Sequence, residues 1–131
     1  MKAVSLKDYG AVTNLKMTEL PLPELAPDEA MVEIKATSVN PIDWKARLGL
    51  LQPMMHWQMP VVLGWALAGV ITQIGSKVSN FKVGDRELAR PGIYPDGRRG
   101  TYAEYVAVKE DKLALLPADW TYVQVAAVPL P

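Results

Sequence analysis

The 131 residues, half of them hydrophobic and 21% charged, suit one globular domain with a single core rather than a disordered or fibrous segment. Lys and Arg number 14 and Asp and Glu number 14, with no long block of either sign, so nothing electrostatic calls for nucleic acid or an anionic membrane as partner. With no cysteine, no apolar run near the ~20 residues of a membrane span, and no signal-peptide pattern from Met1 to Leu6, the chain reads as a soluble protein of a reducing compartment, the cytoplasm being the expected location.

Alternation of apolar and polar residues predicts short strands over 2–6, 15–20, 32–38, 67–74, 101–108 and 112–116. The clearest sets Val32, Ile34, Ala36 and Ser38 against Glu33, Lys35 and Thr37. A short helix is predicted over 42–49, with Pro41 at its first position and Gly49 placed to end it. After Asp119, Val123, Ala126, Ala127 and Leu130 fall at i, i+3, i+4 and i+7 and form one apolar helical stripe. That stripe either packs on the domain itself or begins a connector, over 119–131, to a second domain. The ending Pro129, Leu130, Pro131 has no polar tail, an odd finish for a natural domain. Most of the 11 prolines and 9 glycines fall between the runs, and no internal repeat or linker is present. Several short strands with little helix predict a mainly-β fold, an antiparallel and partly closed barrel, because closure removes exposed sheet edges.

The residues offer little free-standing chemistry. His56 is the single histidine, and a catalytic zinc takes three protein ligands, so no metal site is expected and His56 reads as a loop residue with a satisfied ring. Met54, Met55, Trp57 and Met59 around it read as core or pocket wall. Gly64, Gly69, Gly75, Gly84, Gly92, Gly97 and Gly100 build no G-x-G-x-x-G, and Gly92 to Arg99 lacks the Lys and Ser/Thr of a phosphate loop. They read instead as turns and bulges in a strongly bent sheet. No G-x-S-x-G elbow is present. Asp28 with Glu29, and Glu110 with Asp111, read as solvated carboxylates in polar turns, and Arg98 with Arg99 as a solvated turn rather than a phosphate clamp.

One ordered series of motifs is more specific. Val39-Asn40-Pro41-Ile42-Asp43, continuing to Arg47-Leu48-Gly49, precedes Pro60-Val61-Val62-Leu63-Gly64, Ala68-Gly69-Val70, Gly75-Ser76-Lys77-Val78 and Phe81-Lys82-Val83-Gly84-Asp85-Arg86. Gly100-Thr101-Tyr102-Ala103-Glu104-Tyr105 and Ala126-Ala127-Val128-Pro129-Leu130 follow. The series spans the whole chain and resembles the N-terminal, GroES-like catalytic domain of the medium-chain dehydrogenase/reductase superfamily, most closely its zinc-free quinone oxidoreductases.

The resemblance implies a GroES-like, partly open β-barrel with short helices over 1–131. On this resemblance the barrel is expected to be the substrate side of a cleft whose other side is a Rossmann domain holding NADPH, a domain not expected within 1–131. It implies hydride transfer to quinones or activated C=C bonds, such as enones, in a longer parent. The isolated chain is expected to be inactive and to bind no nucleotide tightly. The resemblance places Asn40 and Asp43 beside nicotinamide and substrate, Arg47 on the same short helix as a third catalytic candidate, and Asn40, Pro41 and Pro129 against the cofactor. An amide suits that place, since it donates to a carbonyl and accepts from a carboxamide; the plainer alternative is that Asn40 only satisfies backbone in an Asn-Pro turn. In zinc-dependent relatives a cysteine, a histidine and a glutamate take the positions of Asn40, Trp65 and Ala66, so no zinc is expected. Two departures bear on activity. Leu51 stands where many quinone and enoyl-thioester reductases carry tyrosine, and cannot donate a proton, and Ala66 stands where they carry an acidic residue. Two rivals therefore stay open: a barrel that lost its chemistry and self-associates through an apolar face including Val123, Ala127 and Leu130, and a reductase completed by a separately encoded nucleotide-binding chain.

Overall fold

A computed structural model describes residues 1–95 and 99–129. Among the described residues, eight strands form two antiparallel sheets. The smaller joins β1 (Lys2–Leu6) to β2 (Leu15–Glu19) on one side and to β4 (Val61–Val62) on the other. The larger runs in the order β7 (Tyr105–Lys109), β3 (Glu29–Thr37), β5 (Leu67–Ile74), β6 (Arg86–Ala89), β8 (Leu113–Leu115). A bridge between Ala3 and Ala103, beside the Val4 N–H donated to the Tyr102 carbonyl at 2.8 Å, stitches the two sheets together. The fold is thus mainly β, a curled half-barrel with few short helices.

The strands that alternation predicted are present, with four differences. β3 begins three residues early, at Glu29, and residues 101–104 are loop rather than strand. β4 is too short, at 2 residues, to carry any period. β6 escaped notice because one of its two inward positions is Glu87, a charged residue on the same face as Ala89, Leu67 and Ile71. Register shifts between Met31 and Val32 and between Ile34 and Ala36 bend β3 around β5, where Gly69 lies against the Glu33 backbone so tightly that a Cβ would meet its carbonyl oxygen at 2.3 Å.

Among the described residues, two short α-helices flank the barrel. α1 (Pro41–Arg47) stops where Gly49 takes φ 87°, which its lack of a Cβ permits. α2 (Tyr122–Ala126) begins at a capping box, with the Gln124 N–H donated to Thr121 Oγ1 at 3.1 Å and the Thr121 N–H donated to Gln124 Oε1 at 2.9 Å. That start corrects the predicted stripe. Tyr122, Val125 and Ala126 turn toward Ala68 and Leu116, while Val123 and Ala127 face outward. Leu130, the stripe's last member, lies outside the described residues, as does Arg98.

The polar turns also need correcting. Glu29 is buried rather than solvated, and its carboxylate is ion-paired with Arg99. Arg99 is correspondingly half-buried and lies over the Tyr94 ring, 4.8 Å from its centroid. Glu110 is half-buried and accepts the N–H groups of Ser79 at 3.0 Å and Asn80 at 2.7 Å. Both carboxylates, Glu29 and Glu110, are held by backbone donors or a cation, which composition alone does not reveal.

Candidate functional site

α1 positions the first two predicted site residues by a local rule. Asn40 caps the helix with an extended backbone, φ −126° and ψ 161°. Its N–H donates to Asp43 Oδ2 at 2.7 Å, and the Asp43 N–H donates back to the Asn40 carbonyl at 2.9 Å. The Asn40 side-chain amide donates to Ser38 Oγ at 3.1 Å, which orients a half-exposed group at the surface. Asp43, in contrast, is buried. Near them in the chain, Val39, Trp44 and Leu48 are exposed apolar side chains.

Two further residues converge on Asp43, and sequence reasoning did not single them out for the site. Burial pushes the Asp43 carboxyl above its ordinary value, against the opposing pull of the Asn40 backbone, the Tyr102 hydroxyl and the Gly64 backbone. Burial likewise drives the Tyr102 hydroxyl upward, and the Asp43 charge adds to the rise. The barrel brings Gly64 and Tyr102 together: the Thr101 N–H donates to the Gly64 carbonyl at 3.1 Å and the Tyr102 N–H to the Leu63 carbonyl at 3.0 Å. Gly64 has φ 103°, and a Cβ there would sit 2.3 Å from Thr101 Oγ1. Only glycine permits this approach.

The other predicted residues are spread out. Arg47 leaves α1 toward the first loop, where its guanidinium donates to the Gly10 carbonyl, while the Gly10 N–H returns a bond to the Arg47 carbonyl at 2.8 Å. Leu51 packs on the Leu6, Ala46, Val61, Leu63 and Trp65 cluster. Trp65 is buried, 6.0 Å from Trp57 between ring centroids, and the buried Ala66 gives its carbonyl to Thr37 Oγ1 at 2.6 Å. Pro41 opens α1 exposed, and Pro129 is half-buried past the end of α2. His56 is exposed, beside Trp57 and Pro95 in a shallow depression. Met54 and Met55 are exposed too, whereas Trp57 and Met59 pack on the core. A cleft of about 400 Å³ is lined by Met1, Leu20, Gln58, Pro60 and Gly100, among others, but not by Asn40, Asp43 or Arg47. Among the described residues, no three His, Cys, Asp or Glu side chains gather as a metal site would need, and no helix is long and apolar enough to cross a membrane.

Residues 26–118 match the family model of the alcohol dehydrogenase GroES-like domain. The chain belongs to that family. This GroES-like domain is 34% identical over 131 residues to the quinone-oxidoreductase homolog, chloroplastic, of Spinacia oleracea, a match covering 99% of this chain and 39% of that protein. It is 35% identical over 134 residues to 2-methylene-furan-3-one reductase of Solanum lycopersicum, covering 99% and 34%. In three dimensions it is similar to Escherichia coli quinone oxidoreductase complexed with NADPH, with a TM-score of 0.87 at 30% identity over 98% of this chain and 37% of that one. The GroES-like domain therefore spans 34–39% of the length of these two curated relatives. It is an oxidoreductase-like domain of the medium-chain dehydrogenase/reductase superfamily, as the motif series implied.

Proposed function

We propose that this GroES-like domain forms the substrate-side wall of an NADPH-dependent, zinc-free oxidoreductase that reduces quinones or activated C=C bonds, the nucleotide being held by a Rossmann domain of the same protein or of a partner chain. The observation that carries the reading is Asn40: a half-exposed amide held by Ser38, with its backbone held by Asp43, on the same short segment as the exposed Val39, Trp44 and Leu48, which we read as an apolar rim. The names of the relatives, quinone oxidoreductase and 2-methylene-furan-3-one reductase, support the substrate class. We place the protein in the cytoplasm, a reading that the lack of cysteine supports.

The residues present fit one end of a dinucleotide. Asn40 has the donor and acceptor a carboxamide needs, and the rim suits a flat ring, whereas the sequence holds no glycine-rich loop for the phosphates. NADPH, when bound, supplies a hydride. Asn40 orients what lies against it, and the rim excludes water from the reacting face. With leucine at position 51 and alanine at 66, these positions donate no proton, so the proton that completes the reduction comes from solvent or from the other wall. By itself the domain is one wall and is inactive.

Two measurements test this. Titration of the 131-residue chain with NADPH is expected to give no tight binding, and a micromolar dissociation constant would contradict it. In the longer parent, Asn40→Ala is expected to lower kcat/KM about tenfold or more, roughly 1.4 kcal/mol of transition-state stabilisation. A variant with unaltered kcat/KM removes Asn40 from the site. A second reading, self-association of the barrel, is favoured by the exposure of Val123 and Val128. A defined dimer by light scattering supports it, and a monomer opposes it.

A further inference from the structure

Asp43 Oδ1 and the Tyr102 hydroxyl are both buried, and no hydrogen bond of acceptable geometry reaches either of them among the described residues. Yet each perturbs the ionisation of the other, so the two groups are neighbours. Buried polar groups in folded proteins are rarely left without partners. Here one orphan is an acceptor and the other a donor.

We propose that Tyr102 is a positioning residue for Asn40: its hydroxyl donates to Asp43 Oδ1 and fixes the carboxylate whose other oxygen holds the Asn40 backbone. That this linkage serves catalysis rests on the functional reading above; the linkage itself is a property of this chain. Its far end is the barrel frame, where the Tyr102 carbonyl accepts the Val4 N–H at 2.8 Å and its N–H reaches Leu63 at 3.0 Å. Gly64 lets the ring come close, since a Cβ there would lie 2.9 Å from Tyr102 Cδ1. Its near end is the 2.7 Å bond from the Asn40 N–H to Asp43 Oδ2. The chain of contacts therefore runs barrel, Tyr102, Asp43, Asn40.

Such a brace has a physical purpose. α1 has 7 residues, two turns, and a helix that short has little stability of its own in water. A site built on it is only as well placed as the contacts that dock it to a rigid element. Ala46 provides an apolar contact, buried with Leu6 and Leu63, but it does not set the direction of the cap. The carboxylate does, because it bonds the capping residue. With the hydroxyl's ionisation driven upward by burial, Tyr102 stays a donor at neutral pH.

The test is nuclear magnetic resonance on the 131-residue chain without cofactor, reading the Asp43 carboxyl carbon through a pH titration together with the backbone and side-chain amides of Asn40. In Tyr102→Phe, which keeps the ring, the Asp43 midpoint is expected to move further up, because a donor that favours the ionised form is gone. Both Asn40 amide signals are expected to shift, while core signals such as those of Leu6 stay in place. In Asp43→Ala the Asn40 signals shift further, and adding Tyr102→Phe changes nothing more, because the tyrosine acts only through the carboxylate. Asn40 signals unmoved by Tyr102→Phe, or additive effects in the double variant, overturn the proposal. Should the phenylalanine variant not fold, 3-fluorotyrosine at position 102 keeps ring and hydroxyl and makes the latter a stronger donor. The Asp43 midpoint must then fall, and an unchanged one is equally fatal. None of these readouts involves turnover. An Asn40→Ala parent of normal activity would sink the functional reading and leave the linkage standing.

Discussion

Replacing Arg99 with alanine is expected to destabilise the domain by about 3–5 kcal/mol, the usual penalty for stripping one partner from a buried ion pair. Glu29, the first residue of β3, is 2% exposed, and its Oε1 accepts the Ala26 N–H at 2.9 Å. Its Oε2 receives the Arg99 guanidinium, which donates as well to the Ala107 carbonyl at 3.2 Å on β7. Arg99 thus ties the turn before β7 to the β3–β7 ladder, where Glu29 pairs with Lys109. Its backbone sits at φ 70°, a conformation non-glycine residues rarely adopt and that must be held by surrounding contacts. Alanine keeps that strain and leaves the carboxylate unpaired. Urea unfolding at neutral pH measures the loss. Arg99→Lys should recover only part, because lysine keeps a donor for the carboxylate but loses the planar guanidinium that lies over the Tyr94 ring. Adding Glu29→Gln to Arg99→Ala should return much of the loss, since the charge to be buried is then absent. A single variant within about 1 kcal/mol of the parent, the range of a surface pair, would mean the pair is effectively solvated.

The contrast between what alternation found and what it missed follows from where the determining contacts lie. β5 buries Leu67, Ala68 and Gly69 in succession and was found by its apolar run, whereas β1 buries Ala3 and Ser5 with Lys2 exposed and Val4 half-buried, so a local window contains its signal. α1 was legible for the same reason: Pro41 and Gly49 bracket it, and the Asn40–Asp43 pairing spans three residues. β6 was hidden by Glu87, whose inward position depends on strands far away in sequence. The orientation of α2 turned on Thr121 and Gln124, which start the helix at Tyr122 and put Val125 rather than Val123 on the barrel. Tyr102 illustrates the limit for the site. It lies inside a quoted motif, but nothing in the sequence links it to Asp43, because sheet closure alone brings residues 43, 64 and 102 together. Arg47 shows the converse, since sharing a helix with Asn40 did not keep its guanidinium from turning to Gly10.

Glu87 supplies the second large effect, a loss of stability of about 3 kcal/mol as pH rises from 4.5 toward 7. The side chain is fully buried on the inward face of β6, and neither carboxylate oxygen has a hydrogen-bond partner among the described residues. Burial, with a smaller contribution from the Asp85 charge, pushes its carboxyl from the ordinary 4.5 to about 7. Between those two values the folded chain retains a proton that the unfolded chain has released, so raising the pH favours unfolding. The stabilising term is complete below about 4.5, declines through the interval and is gone above about 7. Glu87→Gln keeps the shape and cannot ionise, so its unfolding free energy should lack this component of the pH slope. It should therefore gain on the parent as pH rises, and most at pH 8. Glu87→Leu also removes the unpartnered polar atoms next to Ala89, Leu67 and Ile71, and should exceed the parent at pH 8 provided the side chain fits without strain. Denaturant unfolding of parent and Glu87→Gln at pH 5 and pH 8 decides the matter. An equal difference between them at both pH values would mean that Glu87 titrates alike in the folded and unfolded chains, and that it has found a partner or solvent.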